Sequence, residues 1–167
     1  MFKKILKWIG MILLVVFIGI QFIRPAKNKS ETASANAIQN KYPMSDEVKN
    51  ILTAACLDCH SNNTRYPWYA QIQPVGWWLS GHIKDGKRDL NFDEFLSYSI
   101  RRQYKKLEQV NDLVKEDKMP LNSYLWIHKD AKLSDAQKLT LATWVESVRD
   151  SIKANYPPDS LVKKKNS

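Results

Sequence analysis

The sequence has only two cysteines in 167 residues, and they lie three positions apart, at Cys56 and Cys59. A disulfide that closed such a short loop would add little stability. The spacing leaves three uses for the pair: attachment of a prosthetic group, a redox dithiol or a metal site.

The sequence has fewer acidic than basic residues: 17 aspartates and glutamates against 26 lysines and arginines. The formal net charge is +9. Such a balance suits an anionic membrane surface or an acidic protein partner. The basic residues are scattered, and the sequence has no helix-turn-helix, zinc-finger or RNA-binding signature. We therefore expect no nucleic-acid partner.

Alternating strand patterns are absent, and the apolar periodicity is helical. One apolar stripe runs from Val48 to Cys59 and includes both cysteines. Another helix is predicted to start near Pro74. Capping-box patterns predict two more, one from Asn91 to about Lys115 with a break near Ser99, and one that begins at Ser134. The expected fold class is all-α.

Charged residues are missing from Trp8 to Ile20, a run of thirteen that follows a basic start. The stretch from Ile5 to Ile23 would give about 28 Å of helix at roughly 1.5 Å per residue. That is just enough for a hydrocarbon core of about 30 Å. Small-residue cleavage sites lie well beyond the apolar run, which favours an uncleaved anchor over a signal peptide. We expect a single transmembrane helix within residues 1–24.

The remaining chain divides by composition into three parts. Residues 25–41 are polar and lack apolar periodicity, so we expect a flexible linker. Residues 42–156 form the expected folded domain. Residues 157–167 contain two prolines and a run of lysines, and we expect a basic disordered tail there.

The two cysteines belong to the run Cys56-Leu57-Asp58-Cys59-His60. The Cys-x-x-Cys-His pattern places two thiols for thioether bonds to the vinyl groups of a haem, next to a histidine that can bind its iron. A thioredoxin-type dithiol would need a βαβ setting. A zinc site would need four ligands, without a second cysteine pair to supply them. The pattern predicts one covalent c-type haem, attached through Cys56 and Cys59 with His60 as an axial ligand.

The second axial ligand is less constrained by the sequence. Met119 is the preferred candidate, because it follows a predicted helix and the proline after it restricts the local backbone. A methionine that only fills a gap in the core is the alternative. His82 and His128 are weaker candidates, and Met44 is a further methionine outside the apolar N-terminus.

Aromatic residues are abundant in the expected domain. A small domain around a flat apolar macrocycle would use them as pocket walls, although ordinary core packing is the alternative. The candidates are Trp68, Tyr69, Trp77, Trp78 and Tyr124.

Several separated motifs resemble the bacterial haem-binding domain family, whose members are small, often membrane-anchored proteins with a cytochrome-c-like site. The resemblance covers about residues 38–150. It lies in Cys56–Asn62, Thr64-Arg65-Tyr66-Pro67-Trp68-Tyr69, Pro74-Val75-Gly76-Trp77-Trp78-Leu79, His82 with Gly86, Leu90-Asn91-Phe92, Met119-Pro120-Leu121 with Tyr124, and His128 with Ala131–Ser134. The resemblance implies haem binding, and it does not imply a defined reaction.

These observations predict a small cytochrome-c-like helical domain around one covalent haem c. We expect a one-electron carrier rather than an enzyme, with redox proteins as partners, on the outer side of a bacterial cytoplasmic membrane, where covalent haem attachment takes place. The alternative is a peroxidase-like haem enzyme or a gas or redox sensor, either of which needs an open or displaceable sixth iron position.

Overall fold

The computed structural model describes residues 1–163 and contains only helices and loops in that range. The α-helices are α1 Phe2–Ile20, α2 Asp46–Ala55, α3 Leu57–His60, α4 Val75–Asp89, α5 Ile100–Lys115, α6 Asn122–Leu125 and α7 Asp135–Asn155. Short 3₁₀ helices lie at Ile38–Asn40, Trp68–Gln71, Phe92–Ser97, Lys129–Ala131 and Pro158–Ser160. The all-α prediction is therefore confirmed.

Helix α1 covers the apolar N-terminal run and has no buried residue. Its first two turns carry Lys3, Lys4 and Lys7, so only the stretch after Lys7 is free of charge. In the described residues, no helix combines the length and the apolarity needed to cross a membrane. This corrects the expectation of a membrane-spanning helix within residues 1–24: the helix forms, but its basic turns make its apolar part too short.

The segment after α1 packs against the domain, whereas the sequence predicts a flexible linker at residues 25–41. The Asn28 side chain donates to the Ser61 carbonyl and to Thr64 Oγ1, both at 2.9 Å. Farther on, Ile38 is only 2% exposed and belongs to the core. Composition misses this packing because the polar side chains of the segment bond to the domain instead of to water.

Helix α2 begins where the sequence predicts. Ser45 is its N-cap and its Oγ accepts from the Val48 amide, with Asp46 and Glu47 in the first turn. The predicted apolar stripe is interrupted at Cys56, where the backbone leaves helical geometry at φ −125° and ψ −46°. Helix α3 follows directly, so Cys56 precedes a short helix and Cys59 lies within it.

The core lies between α2, α5 and α7. Its most buried members include Ile51, Leu107, Leu141 and Val145. The predicted capping box of α7 is present, because the Ser134 side chain accepts from the Gln137 amide and the Gln137 side chain accepts from the Ser134 amide. The break near Ser99 is also present, between the 3₁₀ helix Phe92–Ser97 and α5. Long helices thus hold α2 on one side of the Cys56–His60 run.

Helix α4 holds α3 from the other side. It starts at Val75, directly after Pro74, as the sequence predicts. Beyond α7, a 3₁₀ turn, Pro158–Ser160, lies within the predicted disordered tail of residues 157–167. The part of that prediction that concerns residues 164–167 lies outside the described residues.

Candidate functional site

A cavity of about 310 Å³ lies beside α3, between α4 and the loop that precedes α6. A smaller cavity of about 60 Å³ adjoins it and shares Cys56, His60 and Met119 as lining residues. The structure therefore brings together residues that are distant in sequence. Among the predicted site residues, those that line the larger cavity are Cys56, Cys59, His60, His82, Met119 and Tyr124.

The His60 ring is fixed by one hydrogen bond, in which Nδ1 lies 2.9 Å from the Leu90 carbonyl oxygen. A carbonyl only accepts, so Nδ1 carries a proton, and in the neutral imidazole Nε2 then carries the lone pair. An imidazole in this tautomer, oriented by a backbone carbonyl, is the usual form of a histidine that binds a metal through Nε2. Leu90 directly follows α4, so α4 sets the ring orientation.

The Met119 loop is shaped by the end of α5. The amides of Asp117 and Lys118 donate to the carbonyls of Val114 and Leu113, which is the hydrogen-bond pattern of a Schellman motif. Asp117 has φ 54° and takes the left-handed position that glycine usually occupies. The Met119 amide also bonds the Leu113 carbonyl, at 3.1 Å. This turn brings Met119 back to the cavity, where the methionine also contacts the core.

The two thiols are partly buried and neutral. Burial, together with the neighbouring Cys59, raises the pKa of the Cys56 thiol to about 12. Burial, with a smaller contribution from the Asp58 carboxylate, raises the pKa of the Cys59 thiol to about 11. Reactive cysteines of dithiol redox proteins have lowered pKa values. The electrostatics therefore argue against a redox dithiol.

Asp58 lies between the cysteines and is the main residue that sequence reasoning missed. Its side chain accepts from the Arg65 amide at 3.0 Å, from Arg65 Nε at 3.1 Å and from the Tyr124 hydroxyl at 2.8 Å. Burial and this bond to Asp58 raise the pKa of Tyr124 well above its ordinary value. Only 7% of Asp58 is exposed. The carboxylate thus ties α3 to the Arg65 loop and to α6, across the edge of the cavity.

Gly86 allows α4 to approach the cysteine run. A Cβ atom at this position would lie 2.7 Å from the Cys59 carbonyl oxygen and 3.2 Å from the Cys59 Cβ. These separations are too short for any side chain unless the helices move apart. The glycine lies one turn after His82, whose ring packs edge-on against Trp78 with centroids 4.4 Å apart. Glycine at position 86 is therefore required by the spacing between α3 and α4.

The comparisons with known proteins give one match. A family model described as a haem-binding domain matches residues 15–147. The chain belongs to the haem-binding domain family. No curated protein and no solved structure matches the chain.

The cavity of this haem-binding domain suits an iron porphyrin. It offers an imidazole with a free Nε2, a thioether sulfur and two neutral thiols, which are the nitrogen and sulfur groups found at haem iron and at haem attachment sites. Residues 1–163 contain no group of three or more histidine, cysteine, aspartate or glutamate side chains that could hold a metal ion. The donor set therefore fits the cofactor that the family binds.

The other predicted site residues of the haem-binding domain do not line either cavity. His128 instead lies 3.3 Å from the Tyr69 hydroxyl and stacks on Tyr124, with ring centroids 4.0 Å apart. The exposed fractions of Trp68 and Trp78 are 76% and 50%. Aromatic content alone cannot tell a pocket wall from an exposed face. The predicted wall residues that lie away from the cavities are Trp68, Tyr69, Trp77 and Trp78.

Proposed function

We propose that this protein is a one-electron carrier with one covalent haem c. In this proposal Cys56 and Cys59 form thioethers to the haem, and His60 and Met119 are the axial ligands of its iron. The observation that carries the proposal is the orientation of His60, whose Nδ1 is engaged by the Leu90 carbonyl while the ring lines the same cavity as Met119.

The residues around the cavity support electron transfer more than they support catalysis. When bound, the haem supplies an iron that is reversibly oxidised and reduced by one electron. His60 and Met119 would occupy both axial positions, which leaves no site for a substrate. A thioether ligand from Met119 would raise the reduction potential relative to a second imidazole.

The protein environment also favours a rigid site. Asp58 accepts hydrogen bonds from Arg65 and Tyr124 beside the cysteines, and Gly86 seats α4 against Cys59. Ligands that are held in place when the iron changes charge need little reorganisation. Such rigidity suits a protein whose task is electron exchange.

We further propose that α1 attaches the protein to a lipid bilayer, with redox proteins as partners at the membrane. The side chains of α1 from Trp8 to Ile18 are exposed on every face, and lysines precede them. A long run of exposed apolar side chains marks a membrane or protein contact. A basic N-terminus favours anionic lipid. Because covalent haem attachment takes place there, we place the haem domain on the outer side of a bacterial cytoplasmic membrane.

Haem attachment is tested by producing the full chain in a host that matures c-type haem. The denatured protein should retain haem on a gel, and the ferrous pyridine complex should show the absorption of a haem with two saturated side chains. Replacing Cys56 or Cys59 by serine should leave one thioether and shift that absorption. Loss of all haem from the denatured wild-type protein would contradict covalent attachment.

The sixth ligand is tested by Met119→Ala, with Met44→Ala as the matched control. Met44 also packs against the core but lines neither cavity. We expect Met119→Ala alone to lower the midpoint potential and to open the iron to carbon monoxide. Rapid carbon monoxide binding by the wild-type protein would instead favour the haem enzyme or gas sensor.

A further inference from the structure

Helix α1 is joined to the domain by a fixed connection at its C-terminal end. Gln21 Nε2 donates to the Gln73 carbonyl at 3.1 Å, and the Gln73 amide donates to Gln21 Oε1 at 2.9 Å. Gln73 is buried, and its own side chain accepts from the Trp77 amide at 3.0 Å. The direction in which α1 leaves the domain is therefore set by the domain itself.

Exposed apolar side chains lie near this connection in both of the segments that it joins. The indole Nε1 of Trp77 donates to the Ile23 carbonyl at 2.7 Å, which places the start of α4 beside the residues that follow α1. Trp77 and Trp78 are 36% and 50% exposed, and Phe22 and Ile23 are exposed as well. We call this the aromatic surface, and its members are Phe22, Ile23, Ile72, Val75, Trp77 and Trp78.

The two stretches of chain that carry the aromatic surface have no acidic residue. Residues 1–30 and 59–84 contain no aspartate or glutamate. The two stretches contact each other, since Asn28 bonds Ser61, Thr64 and Tyr66. Exposed cations accompany the surface at Arg24, Lys27, Lys29 and Lys84. Exposed tryptophans flanked by cations match the headgroup layer of an anionic membrane, where indole rings and basic side chains are both favoured.

We propose that the aromatic surface lies in the headgroup layer of an anionic bilayer and fixes the orientation of the domain on the membrane. This inference rests on the proposed attachment through α1, because the surface is continuous with the end of that helix. The proposed occupant is lipid, since the surface adjoins an exposed apolar helix and the two stretches that carry it hold cations but no acidic residue.

This arrangement would also limit the distance between the haem cavity and the headgroup layer. Helix α4 carries the aromatic surface at its first turn, and it lines the cavity from His82 to Asp89. At about 1.5 Å per residue, those positions lie about 6 to 16 Å along the helix axis from Trp78. A flexible linker would let the cavity sample a wide range of heights. The hydrogen bonds of Gln21, Ile23 and Asn28 to the domain would restrict the distance between the cavity and the membrane.

The test uses the full, haem-loaded chain labelled with 5-fluorotryptophan, in nanodiscs of phosphatidylcholine and phosphatidylglycerol. Fluorine spectra are recorded with and without a lipid that carries gadolinium on its headgroup. Single Trp77→Phe and Trp78→Phe variants assign the two signals. We expect the gadolinium lipid to abolish the signals of Trp8, Trp77 and Trp78. The buried Trp144 should keep its signal.

The matched control is Leu139→Trp, which adds a seventh tryptophan on the exposed face of α7. Leu139 is 69% exposed, and α7 packs against α2 and α5 rather than against α1 or α4. Its signal should persist. Loss of that signal together with all others would mean unspecific contact and would overturn the proposal.

Two outcomes separate this inference from the proposed membrane attachment. If Trp8 loses its signal while Trp77 and Trp78 keep theirs, α1 binds lipid but the aromatic surface does not, and the surface is free for a protein partner. If Trp8 keeps its signal too, the attachment through α1 fails and the inference fails with it.

Discussion

Asp58 occupies one of the two positions between the cysteines, where a haem attachment pattern permits any residue. In this chain the residue at this position has a structural role, because the buried carboxylate accepts hydrogen bonds from Arg65 and Tyr124. The sequence pattern could not reveal this role, since Arg65 lies in a loop and Tyr124 lies in α6, 66 residues beyond Asp58. The first stability test therefore belongs at this residue.

We predict that Asp58→Asn destabilises the folded protein by about 2 kcal/mol, because a buried acceptor of charge-assisted hydrogen bonds is replaced by a neutral amide that donates toward existing donors. Chemical denaturation of the haem-loaded protein measures the change. The control is Asp150→Asn, which removes an exposed ion pair with Lys153 and should change the free energy of unfolding by less than about 0.5 kcal/mol. Equal effects would contradict the assigned role of Asp58.

Glu94 makes the stability of the fold depend on pH in the acidic range. The side-chain Nδ2 of Asn62 donates to the Glu94 carboxylate at 2.8 Å, and chiefly this bond lowers the pKa of Glu94 in the folded state. A lowered folded-state pKa means that the carboxylate stabilises the fold above its unfolded pKa of about 4.3 and that this stabilisation disappears as the pH falls through the lowered value.

We therefore predict that the wild-type protein loses stability more steeply than Glu94→Gln between about pH 5 and about pH 3. Denaturation midpoints of both proteins across this range provide the measurement, and they should differ less at the acid end than at neutral pH. Parallel pH profiles would show that the Asn62 contact contributes nothing.

At the scale of helices, the site depends on how closely α4 packs on α3. The contact is made at Gly86, against the backbone of Cys59. Gly81 lies on the same helix, five residues earlier, and a Cβ added there would meet open space. The pair therefore separates the effect of packing from the effect of helix propensity.

We predict that Gly86→Ala destabilises the protein by about 1 to 3 kcal/mol, because the new methyl group forces α3 and α4 apart. Gly81→Ala should be neutral or should stabilise by up to about 1 kcal/mol, as expected for alanine in an exposed helix interior. Urea denaturation distinguishes the two. A stabilised Gly86→Ala would mean that α4 can move away from Cys59 without cost.

Elements that depend on local signals could be predicted from the sequence, and elements that depend on distant partners could not. The capping box at Ser134 and the break near Ser99 are local, and both are confirmed. The interruption of the helix at Cys56 is not visible in a continuous apolar stripe. The cysteine run identifies the cofactor class at once, but neither the Leu90 carbonyl beside His60 nor the Asp117 turn before Met119 has a recognisable pattern.

On the scale of the whole molecule, the folded unit begins earlier than composition indicates. A polar sequence usually remains solvated, but the side chains of Asn28 and Asn36 find partners on the domain. The Leu96 amide also donates to the Asn36 carbonyl at 2.9 Å. Residues 28–40 thus form part of the fold and join the end of α1 to the core.

We predict that a chain starting at residue 42 is less stable than one starting at residue 25 by about 3 kcal/mol, because it lacks the buried Ile38 and the hydrogen bonds of the segment. Urea denaturation of the two haem-loaded proteins measures the difference. If both chains had the same unfolding midpoint, residues 25–41 would act as the linker that their composition suggests.

The raised thiol pKa values have a consequence for the order of events during biogenesis. A sulfur reacts as its thiolate, and the finished fold leaves almost none of that form at Cys56 or Cys59 near neutral pH. The newly made chain, with both sulfurs in water, is far more reactive. If haem attachment is covalent, as we propose, the thioether bonds are therefore expected to form before the protein is fully folded.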